Sequence, residues 1–222
     1  MKQFINHIKN KWLFFAGYVI ICMVALFMLL QYGKAQSFLL LNQFHPHWLD
    51  TFFIYFTFLG DGLTAIFICL VYFFLLKKRK SGITLLAAYI SSGLLAQLVK
   101  HFVHAPRPRS YFLPGQYNFF IEDITHTANN SFPSGHAATA FAMATTIVML
   151  SHNKRLQIPL LLLASVVAYS RVYLAQHFLN DILVGSFAGV LCAIICVAVF
   201  HPFDEKRFYR QRREDEEQKN GA

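Results

Sequence analysis

The chain has 222 residues, of which 56% are hydrophobic and 24 are Phe, with only 14% charged. That balance excludes an ordinary soluble domain and points to a chain dissolved in lipid. A net charge of +9 raises nucleic acid as a partner, but the cations cluster at the chain ends and in alternate loops, as membrane topology requires, and no nucleic-acid partner is expected.

Apolar runs of about 20 residues cross a bilayer as helix at ~1.5 Å per residue. They fall near 12–31, 52–76, 83–103, 134–151, 156–175 and 178–200. Strand-like alternation is absent, and unsatisfied backbone is too costly in hydrocarbon for anything but helices. The expected fold is all-α: an integral membrane bundle of six transmembrane helices over residues 1–203, with a charged cytoplasmic tail over 204–222. With the N-terminus in the cytoplasm, Lys2, Lys9, Lys11, Lys77, Lys78, Arg79, Lys80, Lys154, Arg155, Lys206, Arg207, Arg210, Arg212, Arg213 and Lys219 are inside, 15 of the 20 Lys and Arg. The C-terminus is then cytoplasmic too. Lys34, Lys100, Arg107, Arg109 and Arg171 remain on the outer side, against the topological bias. The expected location is a bacterial cytoplasmic membrane, with those five residues on its periplasmic side.

In chain order, the first run ends at Gly33-Lys34-Ala35, a small-x-small pattern resembling a signal-peptidase site. Its apolar core is too long for an ordinary signal peptide, so it is expected to stay as an anchor and first span. A short interfacial helix is expected next, from Ala35 to Phe44, with a buried-core role as the open alternative. The second run carries Gly60-Asp61-Gly62. A carboxylate at that depth must face the bundle interior or a cavity; Asp61 either supports a site from behind or is a hinge satisfied by neighbouring backbone.

The third run ends outward in Lys100-His101-Phe102-Val103-His104-Ala105-Pro106-Arg107-Pro108-Arg109, where the prolines stop the helix and fix Arg107 beyond Lys100. An outer loop from about 104 to 133 follows, the longest in the chain. Within it Asn129-Asn130-Ser131 forms a glycosylation sequon, read as loop residues bordering a site. Pro133-Ser134-Gly135-His136 then opens the fourth run. Glycine beside serine at a helix start lets backbone N–H groups approach an anion, which the helix dipole favours.

Short connections make the last three spans neighbours, and small residues Ala140, Ala144, Gly185 and Gly189 let them approach closely. Cys22, Cys69, Cys192 and Cys196 lie inside spans as packing residues; neither disulfide nor metal site is expected. Between the fifth and sixth runs, Ser170, Arg171, His177 and Asp181 stand in the spacing S-R-x5-H-x3-D. His and Asp four apart share a helix face, so Asp181 can hold one tautomer of His177 and leave its other nitrogen free as nucleophile or base. By itself such a pair also serves to cap and solvate a helix start.

Collected on one side are Lys100, Arg107, Arg171, the Ser134-Gly135 helix start, His136, His177 and Asp181. Fixed cations and N–H donors around two histidines suit phosphoryl transfer, where spreading charge over phosphate oxygens is most of the task. In this reading His177, oriented by Asp181, attacks phosphorus, and His136 protonates the leaving oxygen and later activates water.

The segments K-x6-R-P at Lys100 to Pro108, P-S-G-H at Pro133 to His136 and S-R-x5-H-x3-D at Ser170 to Asp181 resemble the three-part signature of the type 2 phosphatidic acid phosphatase superfamily. Its membrane branch implies six spans around an outward-facing site and a phosphohistidine on His177. It also implies a general acid at His136, phosphate ligands at Lys100, Arg107, Ser134, Gly135 and Arg171, and no metal or other cofactor. The expected substrate is a lipid phosphate: phosphatidylglycerol phosphate, phosphatidic acid, a polyprenyl pyrophosphate or a lipid A phosphate. No obligate protein partner is expected. Three alternatives remain open: transfer of the phosphoryl group to another acceptor, a non-catalytic phospholipid binder or transporter, and a vanadate-dependent haloperoxidase. Six spans argue against the last.

Overall fold

The computed structural model describes residues 7–201. Lys2, Lys206 and the other cations of the tail, and the domain boundary expected after residue 203, lie outside the described residues. All secondary structure in the described residues is helical. The helices are α1 (Trp12–Leu41), α2 (His47–Phe56), α3 (Gly62–Leu70), α4 (Arg79–Phe102), α5 (Pro108–Tyr111), α6 (Gly135–Leu150), α7 (Gln157–Tyr173) and α8 (Leu179–Phe200). Among the described residues, Trp12–Leu41, Arg79–Phe102, Lys154–Tyr173 and Leu179–Phe200 are each long and apolar enough to cross a membrane. The bent pair His47–Gly60 and Gly62–Leu75 makes a fifth if it is one span, and α6 is apolar but has only 16 residues.

Helix α6 is the central strut, with every residue from Ala137 to Thr146 buried. The expected small-residue seam forms along α8. A Cβ on Gly185 would stand 2.4 Å from the Ser134 carbonyl oxygen, and one on Gly189 2.2 Å from that of Ala138. Backbone contact that close is open only to glycine, so these positions set the α6–α8 spacing. Ala140 and Ala144 face the other way, into a cluster with Phe14 and Tyr18 of α1 and Leu161 and Ala164 of α7.

At the end of α6 away from its Ser134 cap, the chain's start is tied down. Lys11 Nζ donates to the Ser151 carbonyl, and His7 Nε2 lies 2.7 Å from that of Met149. Cationic donors suit the carbonyl-rich end of a helix. Gln157 adds a bond to Asn10 O at 3.3 Å. Lys11 and Lys154 therefore share one end of the bundle, as the distribution of charge predicted.

The first run ends where expected, and the second departs from the uninterrupted run expected of it. Helix α1 breaks at Gly33 (φ 70, ψ 179), a backbone conformation L-residues avoid, and then continues as helix to Leu41. Phe38 in this continuation is fully buried, its ring 5.3 Å from Phe178 and 5.1 Å from Tyr117, so the buried role describes that face. The second run bends by 54° at Asp61. There the backbone is extended (φ −78, ψ 155), and the carboxylate accepts from Leu63 N at 3.3 Å as the cap of α3. Glycines flank this break because space runs out: a Cβ on Gly60 would meet Val167 at 2.6 Å and His136 at 3.3 Å.

The outer loop is drawn across the top of the bundle. His45 is stacked between Phe119 and Tyr173, with ring centroids at 4.9 and 4.2 Å. Its Nδ1 is 2.9 Å from Asp50, and its Nε2 is 2.9 Å from Asn42 and 3.2 Å from the Tyr117 hydroxyl. Tyr173 donates to the same Asp50 carboxylate at 2.6 Å, tying the end of α7 into this knot. Burial raises the Tyr117 hydroxyl well above the usual tyrosine range, so it stays a neutral hydrogen-bonding group.

Candidate active site

The turn between α7 and α8 is built by the end of α7. Leu174 N donates to Ser170 O at 2.9 Å, while Gln176 N and His177 N both donate to Arg171 O, at 3.0 and 3.1 Å. Ala175 takes the left-handed conformation (φ 51) that reverses the chain. His177 is thereby carried back over Arg171, with its side chain 3% exposed.

Asp181 sits in the first turn of α8 and is fully buried. Its Oδ2 accepts from Phe178 N at 2.9 Å and from Ser131 Oγ at 2.5 Å, and lies 3.5 Å from His177 Nδ1. Its backbone carbonyl accepts from Ser134 N at 3.0 Å. The bland reading of the His–Asp pair is therefore half right: Asp181 does cap its helix, but it is not solvated. Ser131 Oγ also stands 3.5 Å from His177 Nδ1. Both neighbours of Nδ1 are acceptors, which favours the tautomer protonated there and leaves the Nε2 lone pair available. Burial lowers the His177 pKa to about 4; Asp181 pulls it back up and Arg171 adds to the lowering. The ring is neutral at physiological pH.

The Pro133-Ser134-Gly135-His136 segment behaves as its composition predicts. Ser134 caps α6, its Oγ accepting from Ala137 N at 3.4 Å. Gly135 is the informative position, because a Cβ there would meet nothing within 4 Å. Open space lies beside the first N–H groups of a helix that is otherwise buried. His136 is next in the chain, within electrostatic reach of Arg171, His177, Lys100 and Arg107.

The three cations arrive from three elements. Lys100 stands in the last turn of α4, within reach of Arg107, Arg171 and Asp181. Arg107 precedes α5, where Nε donates to Asn130 Oδ1 at 3.1 Å and Nη1 donates to Gln176 Oε1. Its backbone N–H bonds Ala128 O at 2.9 Å, and Ser131 N bonds Ala105 O at 3.0 Å, so the two ends of the outer loop lie side by side. Arg171 is 9% exposed, and its Nη1 donates to Thr57 Oγ1 at 2.8 Å. Its Nε and the Asp181 Oδ1 are buried with no partner among the described residues. Such orphans are rare in native proteins.

The structure brings Ser134, Arg171, His177 and Asp181 into contact and sets Lys100, Arg107 and His136 within electrostatic reach of them. Asp61 caps α3 through neighbouring backbone, and its charge is within reach of Arg171. Gln176 and Thr57 carried no signal of their own, whereas Asn130 and Ser131 belong to the loop stretch that the sequence set beside a site. Ser131 joins Asp181 to the outer loop, Asn130 and Gln176 hold Arg107, and Thr57 holds Arg171. Only adjacency to the motifs could have flagged Gln176 and Thr57.

The PAP2 superfamily profile matches residues 81–204. Among curated relatives, phosphatidylglycerophosphatase B of Bacillus subtilis is 29% identical over 149 residues, covering 63% of this chain and 66% of that protein. The chain thus spans just under two thirds of that relative's length. Among solved structures, Aquifex aeolicus LpxE shares 33% identity with a TM-score of 0.62, covering 74% of this chain and 94% of that one. A transmembrane PAP2-type phosphatidylglycerolphosphate phosphatase of Bacillus subtilis has a TM-score of 0.63 at 22% identity, covering 86% and 97%, a likeness of fold.

Proposed function

Because the chain belongs to the PAP2 superfamily and is an integral membrane protein, we propose that it hydrolyses a phosphate monoester or pyrophosphate carried by a membrane lipid. The observation that carries this reading is the open space beside Gly135 at the start of α6, next to a His136 that Lys100, Arg107, Arg171 and a neutral His177 all reach electrostatically.

Lys100, Arg107, Arg171 and the Ser134-Gly135 helix start bind the phosphate oxygens. His177 Nε2 attacks phosphorus in line. As the bond to the leaving oxygen breaks, His136 supplies that oxygen with a proton. The resulting phosphohistidine carries its positive charge next to Asp181, whose carboxylate is 3.5 Å from Nδ1. That distance exceeds a formed hydrogen bond, and a shift of roughly 0.5 Å on substrate binding closes it. Water, deprotonated by His136, then attacks phosphorus and returns His177 to its starting state. The protein's own cations neutralise the developing charge, so the mechanism calls on no metal. Asp61 supports Arg171 from behind.

The broken helix and α6 complete six spans in this reading. Both termini are cytoplasmic and the site opens at the outer face, where a lipid head group reaches it from the bilayer. Phosphatidylglycerol phosphate, phosphatidic acid, polyprenyl pyrophosphate and lipid A phosphates are the candidate substrates. The test is phosphate release from these lipids in detergent, with EDTA present, by wild type and His177→Ala. Release that withstands EDTA and falls by about 10⁴-fold or more in the variant supports the reading. Absence of release from all four lipids, or activity surviving in His177→Ala, refutes it.

A further inference from the structure

Two of the five outward cations, Lys34 and Arg109, lie outside the three motifs, and Arg109 donates to the Thr125 carbonyl at 2.8 Å. Lys34 follows Gly33, where α1 breaks. Ser37 Oγ donates to Gly33 O at 2.6 Å and Lys34 O at 3.2 Å, which fixes the turn that carries the lysine. Its Nζ ends 4.1 Å from the centre of the Phe178 ring and 5.3 Å from that of Tyr111. Phe178 is the residue after His177, and its N–H is held by Asp181.

A lysine near the end of a span ordinarily extends its amine outward to water and head groups. Lys34 instead lies over two rings at the side of the site, and its charge is felt at Asp181. Among the described residues it has no carboxylate within ion-pair distance, since both recorded pairs are between histidine and aspartate. Ring faces steady an ammonium group without using up its three N–H donors. The result is a positioned cation with donors to spare, resting on the ring of the residue that follows His177.

We propose that Lys34, steadied by Tyr111 and Phe178, is a second anion position that reads the second phosphate of a lipid substrate carrying two. This rests on the phosphatase reading of the main pocket and adds substrate selection to it. The three motif cations hold the phosphoryl group that is transferred, and Lys34 holds the phosphate that stays behind. Two kinds of lipid present that chemistry: a diphosphate, and a phosphate monoester whose neighbour is a phosphodiester.

The experiment uses two tail-matched pairs, polyprenyl diphosphate against polyprenyl monophosphate and phosphatidylglycerol phosphate against phosphatidic acid. The full chain, Lys34→Ala and Lys34→Arg are compared by kcat/KM. Loss of a charged hydrogen bond predicts that the two-phosphate to one-phosphate ratio falls about ten-fold in Lys34→Ala, while Lys34→Arg retains most of it. The pair in which the ratio falls identifies the source of the second phosphate. A ratio unchanged in both pairs, or an equal loss on all four lipids, overturns the proposal. Binding of methylenediphosphonate against methylphosphonate to the solubilised protein gives a readout without turnover. If wild type hydrolyses nothing, the phosphatase reading fails, and the binding preference still decides: lost in Lys34→Ala it supports Lys34, and retained or absent from wild type it overturns it.

Discussion

Glycine occupies both the seam between α6 and α8 and the start of α6, for opposite reasons. Along the seam, a Cβ at Gly185 or Gly189 would run into backbone oxygens at 2.4 and 2.2 Å. At Gly135, one turn or less from the same contact, a Cβ would meet nothing within 4 Å. The first pair is small because protein fills the space. The second is small beside space that protein leaves open, and cations from three elements act on the next residue, His136. Size alone therefore does not distinguish packing from chemistry; what lies beyond the missing methyl does.

The sharpest way to break this comparison is to add that methyl. Gly135→Ala is expected to fold with an unchanged melting temperature and to lose roughly 100-fold in kcat/KM, because the methyl intrudes on anion and N–H groups. Gly189→Ala is expected to do the reverse, costing about 1–3 kcal/mol of stability through overpacking. Thermal melts beside phosphate-release kinetics would separate the two. If both variants melt early, Gly135 belongs with the seam.

Next in size is Ser131→Ala, which removes one bond to a fully buried carboxylate and is expected to cost about ten-fold in kcat, with little change in KM. A loss confined to KM would place Ser131 in substrate binding. Acidification probes the same neighbourhood. His177 must be neutral to attack, and with its pKa lowered to about 4 its protonation should cut kcat/KM only as pH falls toward 4, not near 6.5. For stability the sign is the same: between the unfolded value near 6.5 and about 4 the unfolded chain binds the extra proton, so stability declines as pH falls through that window. An acid limb at 6.5 would mean that the buried ring is reached by water. The smallest effect is at Ala175, where a left-handed backbone (φ 51) suits glycine. Ala175→Gly should change stability by less than about 1 kcal/mol, relief of strain being offset by a freer unfolded chain. A large loss there would show that the turn resists its own strain through packing.

What the sequence revealed follows the same division. Spacing within one helix or turn was legible: Ser170 to Asp181 share a turn, Ser134 caps α6, and the α8 glycines form a seam. That Lys11 and Lys154 share one end of the bundle was legible because the charge rule works on totals along the chain. Contacts between distant segments were not. Ser131 meets Asp181 across 50 residues and Arg171 meets Thr57 across 114, and neither leaves a periodic trace. The 54° bend at Asp61 had a local signal in its flanking glycines, but its direction depends on Val167 and His136. His45, gripped by two aromatic faces and Asp50, carried no signal at all.

Asp181 joins its own helix cap, the outer loop through Ser131 and the start of α6 through Ser134. No earlier part of the chain can order this pocket before α8 inserts, since the residue that ties the pieces together arrives last during synthesis. A chain that stops short of α8 thus lacks the one carboxylate that joins His177, the outer loop and the start of α6, so this corner of the bundle takes shape only once α8 is in place.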